Sequence, residues 1–131
     1  MHLEAVAHAH AAAFIGRSPW DVSRDATLLA DAHATAWRCY GQRFISPLIT
    51  PRMAEAEAWG QTFAPDESGE NIAPGAPLFD AVEKLGELPA LDPEHASLAT
   101  LLHAAGRLAG EVRASVAAPV SGPFAVAQIM A

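Results

Sequence analysis

The sequence predicts an α/β fold, and three observations carry that prediction. Strand-like apolar runs alternate with helical segments, as in parallel architectures. The helical segments place apolar residues three and four positions apart. The composition, 51% hydrophobic and 18% charged over 131 residues, is that of a chain able to bury a sizeable core.

The elements follow in order. Residues 3–9 (LEAVAHA) suit a strand or a helical turn, and composition does not decide between them. Ser18-Pro19-Trp20 is a loop or a helix start, since proline suits the first helical turn. The clearest helix spans Ala26 to Tyr40, with Ser23 or Asp25 as its cap and Gly41 as its left-handed stop. Leu28, Leu29, Ala32, Ala36 and Tyr40 form its apolar stripe, and Leu28, Leu29, Ala32 and Ala36 are expected to pack on a strand at 43–49 (RFISPLI). Pro47 ends or bulges that strand. Thr50 caps a short helix with Pro51 at its first position, closed by Gly60. The turn-rich stretch 61–75 reads as a loose hairpin with Ser68-Gly69 at its tip. Residues 78–86 form a short amphipathic helix, and a longer helix runs from Pro93 to Val112. Ala114–Val120 reads as a short buried strand. Ser121-Gly122-Pro123-Phe124 then turns the chain into a helix beginning AVAQIM. The expectation is that the sequence stops within an unfinished βα unit, as the front part of a larger fold.

The net charge of −7 argues against nucleic-acid binding and against attraction to an anionic membrane surface. No stretch approaches the roughly 18 apolar residues of a membrane-spanning helix. The N-terminus lacks the basic start of a signal peptide. A single cysteine, Cys39, forbids an internal disulfide and fits a reducing, cytoplasmic setting.

Two segments, DATLLADAHATAWRCYGQRFISPLITPRMAEAEAWG (25–60) and PVSGPFAVAQIM (119–130), together resemble the uroporphyrinogen decarboxylase superfamily. The shared features are a helix, a Tyr-Gly, a strand, the run Glu55-Ala56-Glu57-Ala58-Trp59-Gly60, and a later Gly122-Pro123-Phe124 turn. The resemblance implies a (βα)8 barrel. Such a barrel needs about 250 residues, so residues 1–131 would form one partial domain of about three βα units.

The superfamily holds the heme-pathway decarboxylase and corrinoid-dependent methyltransferases. The decarboxylase's Arg-rich first loop is here HAHAAAF, with no arginine until Arg17. Its essential Asp falls on Pro51, and no Asp or Glu lies between Ser46 and Ala54. A polycarboxylate substrate needs cationic clamps, so the methyltransferase branch, passing a methyl group from a corrinoid to a thiol, is the better match. The resemblance implies zinc and a corrinoid partner for the complete enzyme, with the zinc ligands in later strands and no metal ligand in this chain. Uroporphyrinogen decarboxylation is the alternative. A third reading is an inactive split chain that pairs with the missing barrel half or with itself.

In a barrel, substrate contacts follow the strand ends. That rule selects His8 and His10 after the first strand, Thr50 after the second, and Ser121, Gly122 and Phe124 after the third. In an extended segment His8 and His10 would share one side, suiting a metal or an anion. His33, His95 and His103 are expected to be solvated. Cys39 is expected to be structural, core-facing or on the flank of its helix. Glu55 and Glu57 sit on different helix faces, one solvated and the other drawn to the helix N-terminus.

Overall fold

Two helix starts among the described residues are fixed by side chains that satisfy the first free N–H groups. In the computed structural model, which describes residues 6–79 and 82–131, a four-residue helix α1 (His10–Ala13) precedes α2 (Pro19–Arg24). Ser18 caps α2 by accepting from the Asp21 amide at 3.1 Å, with Pro19 inside the first turn. Helix α3 (Ala26–Tyr40) takes the bounds read from the sequence. Asp25 caps it: one carboxylate oxygen accepts from the amides of Thr27 and Leu28 at 2.7 and 3.0 Å. Gly41 ends it at φ +63°, a conformation that a side chain resists.

Strand β1 (Phe44–Ile45) follows and stops before Pro47. After α4 (Met53–Ala58) the chain forms an antiparallel hairpin, β2 (Phe63–Pro65) against β3 (Ile72–Pro74). A 3-10 helix (Val82–Glu87) leads to the long helix α5 (Ala96–Glu111). Strand β4 (Ser115–Val116) then pairs parallel with β1, Phe44 opposite Ser115 and Ile45 opposite Val116. The Ser115 amide donates to the Arg43 carbonyl at 2.9 Å and the Ala117 amide to Ile45 at 3.1 Å. Helix α6 (Pro123–Met130) closes the described chain. The mixed helix-and-strand class is thus as expected, and a parallel pair joined through intervening helices is its α/β element.

The main core lies among α1, α2, α3, α5 and β1. Its buried residues include Ala12, Val22, Leu29, Ala32, Ala36, Ile45, Ala104 and Leu108. Alanine on α3 lets three helices approach one another closely. A smaller core joins Ala56 of α4 to Val126 and Met130 of α6, with Trp59, Phe63, Leu78 and Leu88 packed around it.

Several expectations need correction. Residues 3–5 of the proposed first strand lie outside the described residues, and at 8–9 the chain turns, with His8 at φ +32°. Thr50 does not cap α4: Arg52 occupies the cap position in a left-handed conformation, without a side-chain bond. Described residues of 78–86 form no amphipathic α-helix, because Lys84 and its neighbours wind as 3-10. The run 114–120 is a two-residue strand, and Val120 is 86% exposed. β1 offers only two residues before Pro47, so the ladder has nothing further to pair with. His33, on a packed helix, is 2% exposed and not solvated. Cys39 is exposed, which rules out the core-facing position and leaves the flank of its helix.

The hairpin expected at 61–75 is present. Its tip is organised by Asp66, whose carboxylate accepts from Ser68, Glu70 and Asn71. These donors hold the Asp66 carboxyl well below the usual range. The tip folds onto α2, where the Trp20 amide donates to the Gly69 carbonyl at 3.1 Å. Gly69 is buried at φ +72°, and a Cβ there would lie 2.8 Å from the Ser18 side chain, so glycine is required on two grounds.

Candidate functional site

Parallel pairing of β1 and β4 brings the chain segments that follow them side by side. After β1 the chain passes Thr50 into α4; after β4 it passes Ser121 into α6. Gly122 is the cap residue of α6, its carbonyl accepting from Ala125 and Val126 at 3.0 and 3.2 Å, and Pro123 fills the first helical position. The two segments are tied together by Glu55, whose carboxylate accepts from the Ser121 amide at 2.6 Å.

Beside this tie lies a cleft of about 360 Å³ between α4, the Leu88–Leu91 segment and the start of α6. Its walls include Trp59, Leu88, Leu91, Val126 and Met130, with Glu55 as the one charged side chain among the described residues that line it. The Trp59 indole N–H donates to the Pro89 carbonyl at 3.1 Å, which fixes that wall.

A second group of polar residues sits on the other side of α4. Arg24 makes a two-pronged contact with Glu57, at 2.8 and 2.6 Å, and also donates to Ser97 at 3.1 Å. Ser97 in turn donates its hydroxyl to Glu57. The guanidinium carbon stands 3.9 Å from the Trp20 ring centroid, a cation–π contact. An open hollow here is lined by Trp20, Arg24, Glu57, Gln61, Thr62 and His95. Glu57 is therefore neutralised within the protein, joining α2, α4 and α5.

Neither glutamate is solvated, contrary to expectation: both are 8% exposed. The i, i+2 spacing does send them to different faces, as read from the sequence. Both faces of α4 are covered, one by α5 and the other by α6.

The sequence-selected residues do not gather in one place. His8 and His10 do not share a side, because the chain turns at His8 and becomes helical at His10. His10 instead meets the Tyr40 hydroxyl at 2.9 Å and packs edge-on to Phe14 at 5.2 Å. Thr50 lines a separate apolar cavity of about 20 Å³, room for one water and not for a substrate. Ser121 lines the cleft and Gly122 adjoins it, whereas Phe124 is 83% exposed. Among the described residues, no three His, Cys, Asp or Glu side chains come together in a set able to hold a metal ion.

Sequence reasoning missed the Arg24–Glu57–Ser97 contact and the Glu55–Ser121 tie. The partners are separated by 33 and 66 positions, and only the alternation of glutamate with alanine in α4 signalled them. No family model, curated protein or solved structure matches the chain. No helix among the described residues is long and apolar enough to cross a membrane.

Proposed function

We propose that this chain provides the opening strands of a barrel enzyme of the uroporphyrinogen decarboxylase superfamily, in the branch that moves a methyl group from a corrinoid to a thiol. The observation that carries the reading is the parallel β1–β4 pair, with Ser121-Gly122 at its end tied by Glu55 to the segment that follows β1. Enzymes built on parallel strands place their substrates at such ends.

The electrostatics support the methyltransferase branch over the decarboxylase. The cleft beside Ser121 is apolar and carries a buried glutamate, which repels a polycarboxylate. The nearby arginine, Arg24, is committed to Glu57 on the opposite face of α4. The described residues do not form the zinc site that the family resemblance implies, and Cys39 stands exposed on α3. The role proposed for this chain's own residues is substrate contact: Ser121 and Gly122 offer an extended segment held to α4 by Glu55, and the cleft offers apolar walls to an apolar group.

The test combines the chain with a polypeptide supplying the later strands of a related barrel, and follows methylcobalamin by absorbance with and without an added thiol. Thiol-dependent demethylation that requires this chain is the expected result. Decarboxylation of uroporphyrinogen, or no demethylation by an assembled complex, would overturn the proposal.

A further inference from the structure

The two glutamates of α4 differ in how their charge is met. Glu57 receives a guanidinium at two points and a serine hydroxyl besides. Glu55 is equally buried, yet among the described residues no cation pairs with it, and the bond from the Ser121 amide engages one of its oxygens. An ionised carboxylate accepts at about four positions, and holding one in apolar surroundings is costly without a counter-charge. The unanswered charge sits in the wall of a cleft of about 360 Å³, within the roughly 300–1,000 Å³ range of small-molecule sites.

The geometry points to a binding site for a small organic cation with an apolar body, such as an arylalkylamine, its ammonium on Glu55 and its ring or chain against Trp59, Leu88 and Val126. The charge pattern selects this class over the alternatives. An anion would meet the buried Glu55 carboxylate. A neutral apolar molecule would fill the cleft but leave that carboxylate without a counter-charge. An ammonium gains a charge-assisted hydrogen bond, and aromatic Trp59 beside it favours positive charge. The site rests on cleft and charge alone and does not require methyl transfer, so the two proposals fail separately.

The experiment uses the full chain at pH 7, titrated with 2-phenylethylamine and with its neutral counterpart 2-phenylethanol, and followed by amide NMR. The signals to watch are the Ser121 amide, which donates to Glu55, and the Trp59 indole N–H, which bonds Pro89. Saturable shifts of both signals are expected, with the amine binding about tenfold more tightly than the alcohol, a difference of about 1.4 kcal/mol. Glu55→Gln, whose amide oxygen can still accept from Ser121, should abolish the preference. Ala127→Phe, which fills the cleft from α6, should weaken both ligands. Equal affinity of the two ligands for the unmodified protein would overturn the site, as would a preference that survives in Glu55→Gln. So would shifts that spare Ser121 and Trp59, or no binding at all. The comparison of ligands on the unmodified chain decides the matter even where a variant fails to fold.

Discussion

His33 occupies the inward side of α3, 2% exposed, and its Nε2 finds no hydrogen-bond partner among the described residues. Burial pushes its pKa from the ordinary 6.5 down to about 4, helped by the nearby His8 and opposed by a hydrogen bond to the Leu48 backbone. Between those two values the unfolded chain binds the proton that the folded chain refuses. Stability therefore falls as the pH drops from about 6.5 toward 4, and the loss from this group amounts to about 3 kcal/mol. Urea unfolding of the parent and of His33→Leu across pH 7 to 4 checks this. The parent should lose about that much more than the variant, whereas a stability difference that does not move with pH would contradict it. The sequence did not reveal this histidine because α3 is alanine-rich on every side. Small residues let α1, α2 and α5 all pack against it, so the face holding His33 looks no more polar than its neighbours.

Among the elements, α3 was the most legible, and the reason is local. Asp25, the Leu28/Leu29 stripe and Gly41 each specify helix start, face and end without help from distant residues. Leu29 is 3% exposed in the same core as Ala32, Ala36 and Ile45. Leu29→Asp should therefore cost about 3–4 kcal/mol by burying an unpaired carboxylate; a denaturation midpoint equal to the parent's would mean that the helix face is misassigned. The hairpin was legible for a similar reason, since Asp66, Ser68, Gly69 and Asn71 write the turn into six residues. The strands were less so. The run 114–120 is apolar throughout, but strand length is set by the partner, and Pro47 cuts β1 short after Ile45. α4 was read with the wrong cap because Thr50-Pro51 fits the pattern of a helix start, while the chain needs two further residues to turn from β1. The glutamates of α4 illustrate the limit most clearly. Their types and spacing were visible, but what each meets depends on Arg24, Ser97 and Ser121, brought near only by the tertiary fold.

On the scale of the whole molecule, α4 joins two small apolar clusters, Ala54 with Leu98 and Leu101 of α5 and Ala56 with Val126 and Met130 of α6. α4 packs against α5 on one side and α6 on the other. Each contact is secured by a glutamate, Glu57 to Arg24 and Ser97, Glu55 to the turn after β4. This arrangement sets the Ser121 turn against the cleft wall. It depends on β1 and β4 lying side by side and parallel, since that pairing delivers the turn to α4. Large apolar residues beyond β4 remain outside the cores, with Val120 86% and Phe124 83% exposed. Parallel strands are ordinarily covered on both faces, and on the barrel proposal this rim is where further strands would pair.

The central claim is that the parallel β1–β4 pair and the Glu55 tie together create the site. Amide hydrogen exchange of the purified chain, read residue by residue by NMR, tests it most directly. The account predicts slow exchange at Ser115 and Ala117, which donate to the Arg43 and Ile45 carbonyls, and at Ser121, which donates to Glu55. In Glu55→Ala, protection should vanish at Ser121 and persist at Ser115 and Ala117. Fast exchange at Ser115 and Ala117 in the parent protein would contradict the pairing, and with it the site.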